Sequence, residues 1–168
     1  MNLRAIEADI TQLEVDAIVN AANDALIPGG GVDGAINRAA GPALESAMRA
    51  LGDCPTGEAR ITPGFQLAAK YVIHAVGPIW HGGQHGEPEL LASAYRSALC
   101  LAREQACQSI ALPAISTGAY GYPVAEATRI AVDTCRAFGV EAGSIQIVYF
   151  ACFSPRVLEV YRKAGVAT

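Results

Sequence analysis

The sequence predicts an α/β fold in which helices cover a mostly parallel sheet. Three observations carry this. Short apolar runs alternate with helix-periodic segments along the whole chain. Most of the strand-like runs are separated by helix-length stretches, which calls for crossover connections and hence parallel neighbours. No linker, internal repeat or low-complexity tract interrupts the 168 residues, so 1–168 reads as a single domain with length enough for a sizeable core.

The elements follow in order. Residues 3–8 read as a first strand. Residues 17–20, Ala-Ile-Val-Asn, read as a strand buried on both faces. Residues 34–40 suit a short helix. Residues 42–51 suit a second one, with Pro42 at its start and Gly52 just past its end. The β-branched and aromatic run 71–76 is a strand that stops at Gly77-Pro78. Residues 88–105 are helical by period, with Leu91, Tyr95, Ala98 and Ala102 on one face. A short strand at 109–112 ends at Pro113. A helix spans 123–138, a strand 145–150, and a last helix 155–164.

Composition narrows the function. The chain has 52% hydrophobic and 17% charged residues, which excludes a disordered protein. Twelve Lys+Arg stand against 16 Asp+Glu, for a net charge of -4. With a pI of about 5.3, the basic footprint of a general nucleic-acid binder is missing. No apolar run approaches the roughly 20 residues of a membrane span, so no membrane partner is expected. The N-terminal residues hold no apolar core of signal-peptide length, so the expected location is cytoplasmic. Cys54, Cys100, Cys107, Cys135 and Cys152 are an odd, scattered set that suits reduced thiols acting as small hydrophobes. His81 and His85 have helical ligand spacing, but Gly82, Gly83 and Gly86 favour a solvated loop, and no metal is assigned.

In an open parallel sheet, ligands bind beyond the carboxyl ends of the strands. Four unusual segments are expected there: Asp9-Ile10-Thr11, the run from Asn20 through Gly34, the loop from Ser116 to Gly121, and Ala151-Cys152-Phe153. Consecutive glycines ahead of a helix expose backbone N–H groups, and the helix end adds partial positive charge. The Ser116–Gly121 loop has the same small-residue character, so the two loops predict a diphosphate clamp. Gly29, Gly31 and Gly34 match the dinucleotide fingerprint literally. However, eight residues separate Asn20 from Gly29, and Asp33 places a carboxylate between the glycines. An oxidoreductase using a dinucleotide is therefore disfavoured.

Single residues keep two readings. Asp33 is either an N-cap for a helix beginning at Gly34 or a general base. Asn23 either serves a turn or orients a ribose or carbonyl, and the pair Asn20 and Asn23 straddles two alanines that would let a ligand approach closely. Asp9 either caps a turn or accepts from an adenine amino group. Phe153 is either core or a purine-packing wall. Tyr120, between small residues, suits a pocket wall.

The chain resembles macro domains of the MacroD-type branch of ADP-ribose-binding hydrolases. The resemblance rests on Asp9-Ile10-Thr11, Val19-Asn20-Ala21-Ala22-Asn23, Gly29-Gly30-Gly31-Val32-Asp33-Gly34-Ala35-Ile36, Arg38-Ala39-Ala40-Gly41, Cys54-Pro55-Thr56-Gly57, and the run from Pro113 to Pro123. It implies a three-layer α/β/α fold with a mixed, mostly parallel sheet, and ADP-ribose as the ligand. It places Asp9 and Ile10 at the adenine amino end and Phe153 beside the ring. It places Asn20 among the substrate-binding residues and Gly30, Gly31 and Val32 along the diphosphate and distal ribose. Ser116, Thr117, Gly118, Ala119 and Tyr120 form the opposite loop. Asn23 and Asp33 match the catalytic pair, with Asp33 activating water.

The implied reaction is metal-independent and cofactor-free. It hydrolyses esters on the distal ribose: O-acetyl-ADP-ribose, and mono-ADP-ribose linked to Asp or Glu side chains. A monomer is expected. The alternative is a reader that binds ADP-ribose without turnover. Two departures stand out. Pro28 occupies the position of a fourth glycine and removes a donor. Asn37 stands where the branch often has a histidine, so no titrating group is available there.

Overall fold

Strands β1 (Asn2–Glu7), β2 (Ala17–Ala22), β3 (Ala59–Pro63), β4 (Tyr71–Val76), β5 (Ser109–Leu112) and β6 (Ile147–Cys152) form one sheet in the computed structural model, which describes residues 1–168. Their order is β1-β6-β5-β2-β4-β3. All neighbours are parallel except β3 and β4, so the sheet is mixed. Helices α1 (Gly31–Ala40) and α2 (Pro42–Leu51) cover one face; α3 (Glu87–Glu104), α4 (Val124–Phe138) and α5 (Pro155–Lys163) cover the other. This is the three-layer α/β/α architecture. No helix is long and apolar enough to cross a membrane.

Strand alternation assigns side chains to the two layers. Ile18, Ala22, Val72 and Val76 pack with Ile36 and Ala40 of α1 and Leu44 and Met48 of α2. Val19, Ile73 and Ala75 pack on the opposite side with Leu91, Tyr95, Ala98 and Ala102, the α3 face predicted from its period. Cys54, Cys107, Cys135 and Cys152 are buried free thiols, and Cys100 is half-buried.

Beyond one-residue shifts, and besides β2 running on to Ala22, three differences from expectation stand out. β3 was not predicted: Ala-Arg-Ile-Thr alternates for only four residues before Pro63, too short a signal on its own, and it becomes a strand by pairing with β4 at the sheet edge, where its terminal proline is tolerated. β6 begins two residues late, because Gly143 to Ile145 complete a turn. α1 starts at Gly31, three residues early, and Gly30 is its N-cap.

The fold also fixes the loop after β5. The buried Tyr95 hydroxyl donates to the Pro113 carbonyl at 3.1 Å and accepts from the Ile115 N–H at 3.0 Å. Tyr95→Phe leaves the Pro113 carbonyl and the Ile115 N–H only their 3.0 Å bond to each other. A loss of about 0.5–1.5 kcal/mol is expected, read by urea unfolding.

Candidate active site

The carboxyl ends of the parallel strands share one edge, and the four expected segments meet there around a cleft of about 880 Å³. That volume suits a nucleotide-sized ligand. Asp9 and Ile10 line one end with Phe153, whose side chain is 78% exposed. The core reading of Phe153 is therefore wrong: β6 ends at Cys152, and the ring projects past the sheet. The Asp9 carboxylate accepts from the Thr11 N–H at 2.9 Å and from the Thr11 hydroxyl at 2.7 Å, capping the short 3-10 turn Ile10–Gln12. Both bonds use one oxygen, Oδ1, so capping leaves the other free.

Gly30, Gly31 and Val32 form one wall; Ser116, Thr117, Gly118, Ala119 and Tyr120 form the other. The N–H groups of Gly30, Gly118, Ala119 and Tyr120 donate to no protein acceptor. The first N–H groups of α1 also have no intrahelical partner, as at any helix start. Two facing sets of free donors, one at a helix N-terminus, make an anion clamp. Ser116 holds φ +68°, a left-handed conformation that costs a non-glycine residue roughly 1–2 kcal/mol. Its buried hydroxyl has no protein partner. The Tyr120 carbonyl accepts from the Trp80 N–H at 2.8 Å, tying this loop to the segment after β4. His81 and His85 lie in that segment, in a turn and not on a helix.

Asp33 is not the N-cap. It sits in the first turn of α1, 4% exposed, and lines the cleft. Its Oδ1 accepts from Asn20 Nδ2 at 3.0 Å and Asn37 Nδ2 at 2.9 Å. Its Oδ2 accepts only from the Gly29 N–H, at 3.2 Å. Burial pushes the Asp33 carboxyl above its ordinary range, and the bonds from Asn20, Gly29 and Asn37 pull against that. Gly34 makes the arrangement possible: a Cβ there would lie 2.7 Å from the Gly29 carbonyl oxygen, so no other residue lets the glycine loop close over α1.

Asn23 lines the cleft beside Asp33. Its Nδ2 donates to the Ile27 carbonyl at 2.7 Å, and its Oδ1 accepts from the Ile27 N–H at 3.2 Å, so the turn-serving role is real. Its Nδ2 and Asp33 Oδ2 nevertheless converge over Gly29, 3.6 and 3.5 Å from where a Cβ would stand.

Asn20 is a correction. It was expected to touch the ligand, but it is fully buried and does not line the cleft. The length of β2 explains this: the strand runs to Ala22, so Asn23 lies past it in the loop, whereas Asn20 stays within it and shares the face of Ile18 and Ala22 toward the α1–α2 layer. Gly77 was missed. It lines the cleft floor, and a Cβ there would lie 2.2 Å from Ser116 Oγ. Only its position directly after a strand hinted at this. Asn37, lacking a titrating group, donates to both the Asp33 carbonyl and Oδ1 and so tethers the carboxylate.

Fold and cleft together define a class: a three-layer α/β/α domain with a nucleotide-sized cleft between a helix-leading glycine loop and a second small-residue loop. The macro domain family model matches residues 19–131, and the chain belongs to the macro domain family. It is 61% identical over 165 residues to a macro domain-containing protein of Chlorobaculum tepidum, covering 98% of this chain and 96% of the relative. It is 54% identical over 165 residues to the O-acetyl-ADP-ribose deacetylase of Salmonella gallinarum, covering 96% and 92%. Among solved structures, the Oceanobacillus iheyensis macrodomain with ADP superposes with a TM-score of 0.92 at 44% identity, covering 96% of this chain and 88% of that one. That macrodomain is also solved as a glycine-to-valine mutant with ADPR and as asparagine-to-alanine and aspartate-to-alanine mutants. Those asparagine, glycine and aspartate positions are spaced seven and three residues apart, as Asn23, Gly30 and Asp33 are here.

Proposed function

We propose that the protein binds ADP-ribose in this cleft and hydrolyses esters on its distal ribose. The substrates are O-acetyl-ADP-ribose and mono-ADP-ribose linked to Asp or Glu side chains. The observation that carries the reading is Asp33, a buried carboxylate lining the cleft, clamped at Oδ1 by Asn20 and Asn37 while Oδ2 accepts only the Gly29 N–H of the glycine loop. A carboxylate there opposes a bound diphosphate. Its burial beside an anion clamp makes sense if it takes a proton from water. The Salmonella relative's name and the ligands of the Oceanobacillus macrodomain support the same ligand class.

In this reading, the adenine lies by Asp9, Ile10 and Phe153, and the diphosphate sits between Gly30, Gly31, Val32 and the loop from Ser116 to Ala119. The distal ribose reaches Asn23, Asp33 and Tyr120. Asp33 Oδ2 accepts a proton as water oxygen bonds to the ester. The ribose–acyl link breaks, and the departing oxygen recovers the proton. Reaction in oxygen-18 water tells which carbon is attacked: label in the acid marks the acyl carbon, label in the ribose the anomeric carbon.

The test is incubation with O-acetyl-ADP-ribose and with an ADP-ribosylated glutamyl peptide, following products by chromatography while calorimetry measures ADP-ribose binding. Turnover of either ester supports the hydrolase. Binding without turnover selects the reader, a reading favoured by the engagement of both ends of the Asn23 amide with Ile27. Absence of binding overturns both.

Asn23→Ala is expected to lower kcat on the order of 10²-fold, because orientation at the reacting centre is lost. ADP-ribose affinity is expected to fall less than about tenfold, since most ligand contacts remain. Equal losses in rate and affinity contradict an orienting role.

A further inference from the structure

We propose that Thr62, His74 and Asn20 are positioning residues: a hydrogen-bonded file that runs through the apolar layer from the edge strand to the cleft wall and holds Asp33 Oδ1, leaving Oδ2 to meet water. This rests on the reading of Asp33 as the base.

Asn20 and His74 are register partners on the parallel neighbours β2 and β4, so their side chains share a face. That face is otherwise apolar, with Ile18, Ala22, Val72 and Val76. Both residues are fully buried. Asn20 Nδ2 lies 3.0 Å from Asp33 Oδ1 and 3.1 Å from His74 Nδ1. An amide nitrogen has two hydrogens, so both are used. His74 Nδ1 must then accept, which places the ring proton on Nε2, 3.0 Å from the Thr62 hydroxyl oxygen. Burial pushes His74 down to about 4, so the ring is neutral at neutral pH.

The carboxylate sets the sense of the file: a flipped Asn20 would turn its amide oxygen onto Asp33 Oδ1, so Nδ2 faces both partners and His74 Nδ1 accepts. The Thr62 hydroxyl, able to donate or accept, takes the Nε2 proton of that tautomer and holds the ring in place. The orientation has a cost: Asn20 Oδ1 and Asn37 Oδ1 are both buried without a partner. A layer built only for packing would hold apolar side chains here, since a half-satisfied polar network weakens a core. The titratable and charged groups near Asp33 are His74 behind Asn20, the Arg38 guanidinium at the Gly34 turn, and Tyr120, whose hydroxyl is raised by burial and by the charges of Asp24 and Asp33.

The test uses the full chain with Asn20→Ala, His74→Leu, His74→Gln and Thr62→Val. Carbon-13 NMR follows the Asp33 carboxyl against pH, and nitrogen-15 NMR reads the His74 tautomer; neither needs turnover. Asn20→Ala is expected to move the Asp33 titration to higher pH, because a donor to its ionised form is lost. It is also expected to cut kcat on the order of 10- to 100-fold, with ADP-ribose affinity within about twofold. His74→Leu acts in the same direction. His74→Gln recovers most of the rate, since its amide can accept from Asn20 and donate to Thr62. Thr62→Val, nearly isosteric, is the check should Asn20→Ala fail to fold, and it is expected to shift the Asp33 titration in the same direction by less. A parent His74 protonated on Nδ1, or an Asp33 titration unchanged in the folded variants, overturns the proposal. A parent protein with no turnover removes the hydrolase reading, while the NMR arms still decide whether the file holds Asp33.

Discussion

Asp33→Ala is expected to cut ester hydrolysis on the order of 10²- to 10⁴-fold, the usual contribution of a general base. ADP-ribose affinity should stay within a few-fold of the parent, because the diphosphate donors come from backbone and a nearby negative charge has been removed. The pH dependence sharpens the test. Burial raises the Asp33 carboxyl above its ordinary value. The active form is the carboxylate, so the rate of the parent rises as pH climbs through that raised value, above the usual carboxylate range. The residual rate of the variant lacks this limb. Stability follows the same linkage with the opposite consequence for folding. A raised folded-state value means that the fold prefers neutral Asp33, so this contribution is full below the unfolded value and is lost as pH rises through the folded one. The parent therefore loses this increment between acid and mildly acid pH, and the variant does not. Parental turnover in the folded variant removes Asp33 from the mechanism. Loss of binding together with rate makes it a structural residue.

Gly77→Ala is expected to destabilise the protein by about 1–3 kcal/mol and to weaken ADP-ribose binding on the order of tenfold, through overpacking beneath the cleft. The new Cβ would lie 2.2 Å from Ser116 Oγ and 2.5 Å from Ile115 Cγ2. Non-bonded carbons rest at roughly 3.5–4.0 Å, so something must move. The serine hydroxyl can rotate, but Ile115 is 1% exposed and its N–H is held by Tyr95. The strain passes into the loop from Ser116 to Tyr120, the wall that supplies the free N–H groups. Urea unfolding and calorimetry with ADP-ribose measure the two effects. Adding Ser116→Gly should restore part of both, since it removes the nearer clash and relaxes the left-handed φ at 116. Unchanged stability and affinity in the single variant would show that the floor yields, contrary to its packing.

The legible part of the site was backbone-built. Glycines and small residues placed after apolar runs mark loops with free N–H groups, and both walls of the clamp were read that way. Asp9, Tyr120 and Phe153 line the cleft, and each follows a strand or sits between small residues, which is what allowed a ligand-edge reading beside the capping or core one. Asn20 shows where that reasoning stops. It lies three residues from Asn23 in a uniform run, and nothing local says that β2 continues to Ala22 and keeps Asn20 inside. His74 and Thr62 carry no local signal either, since their partners lie on other strands. β3 becomes a strand only by pairing at an edge.

By itself, then, the sequence determined the alternating α/β order, the two apolar faces and the identity of the loops that line the cleft. These follow from periodicity and backbone freedom, which act over a few residues. Only the tertiary structure decided that Asp33 lies within the first turn of α1, that Asn20 turns inward to hold it, and that Gly77 supports the second loop. Those outcomes depend on which side chains distant segments bring within hydrogen-bond or contact distance, and no short-range pattern encodes such pairings.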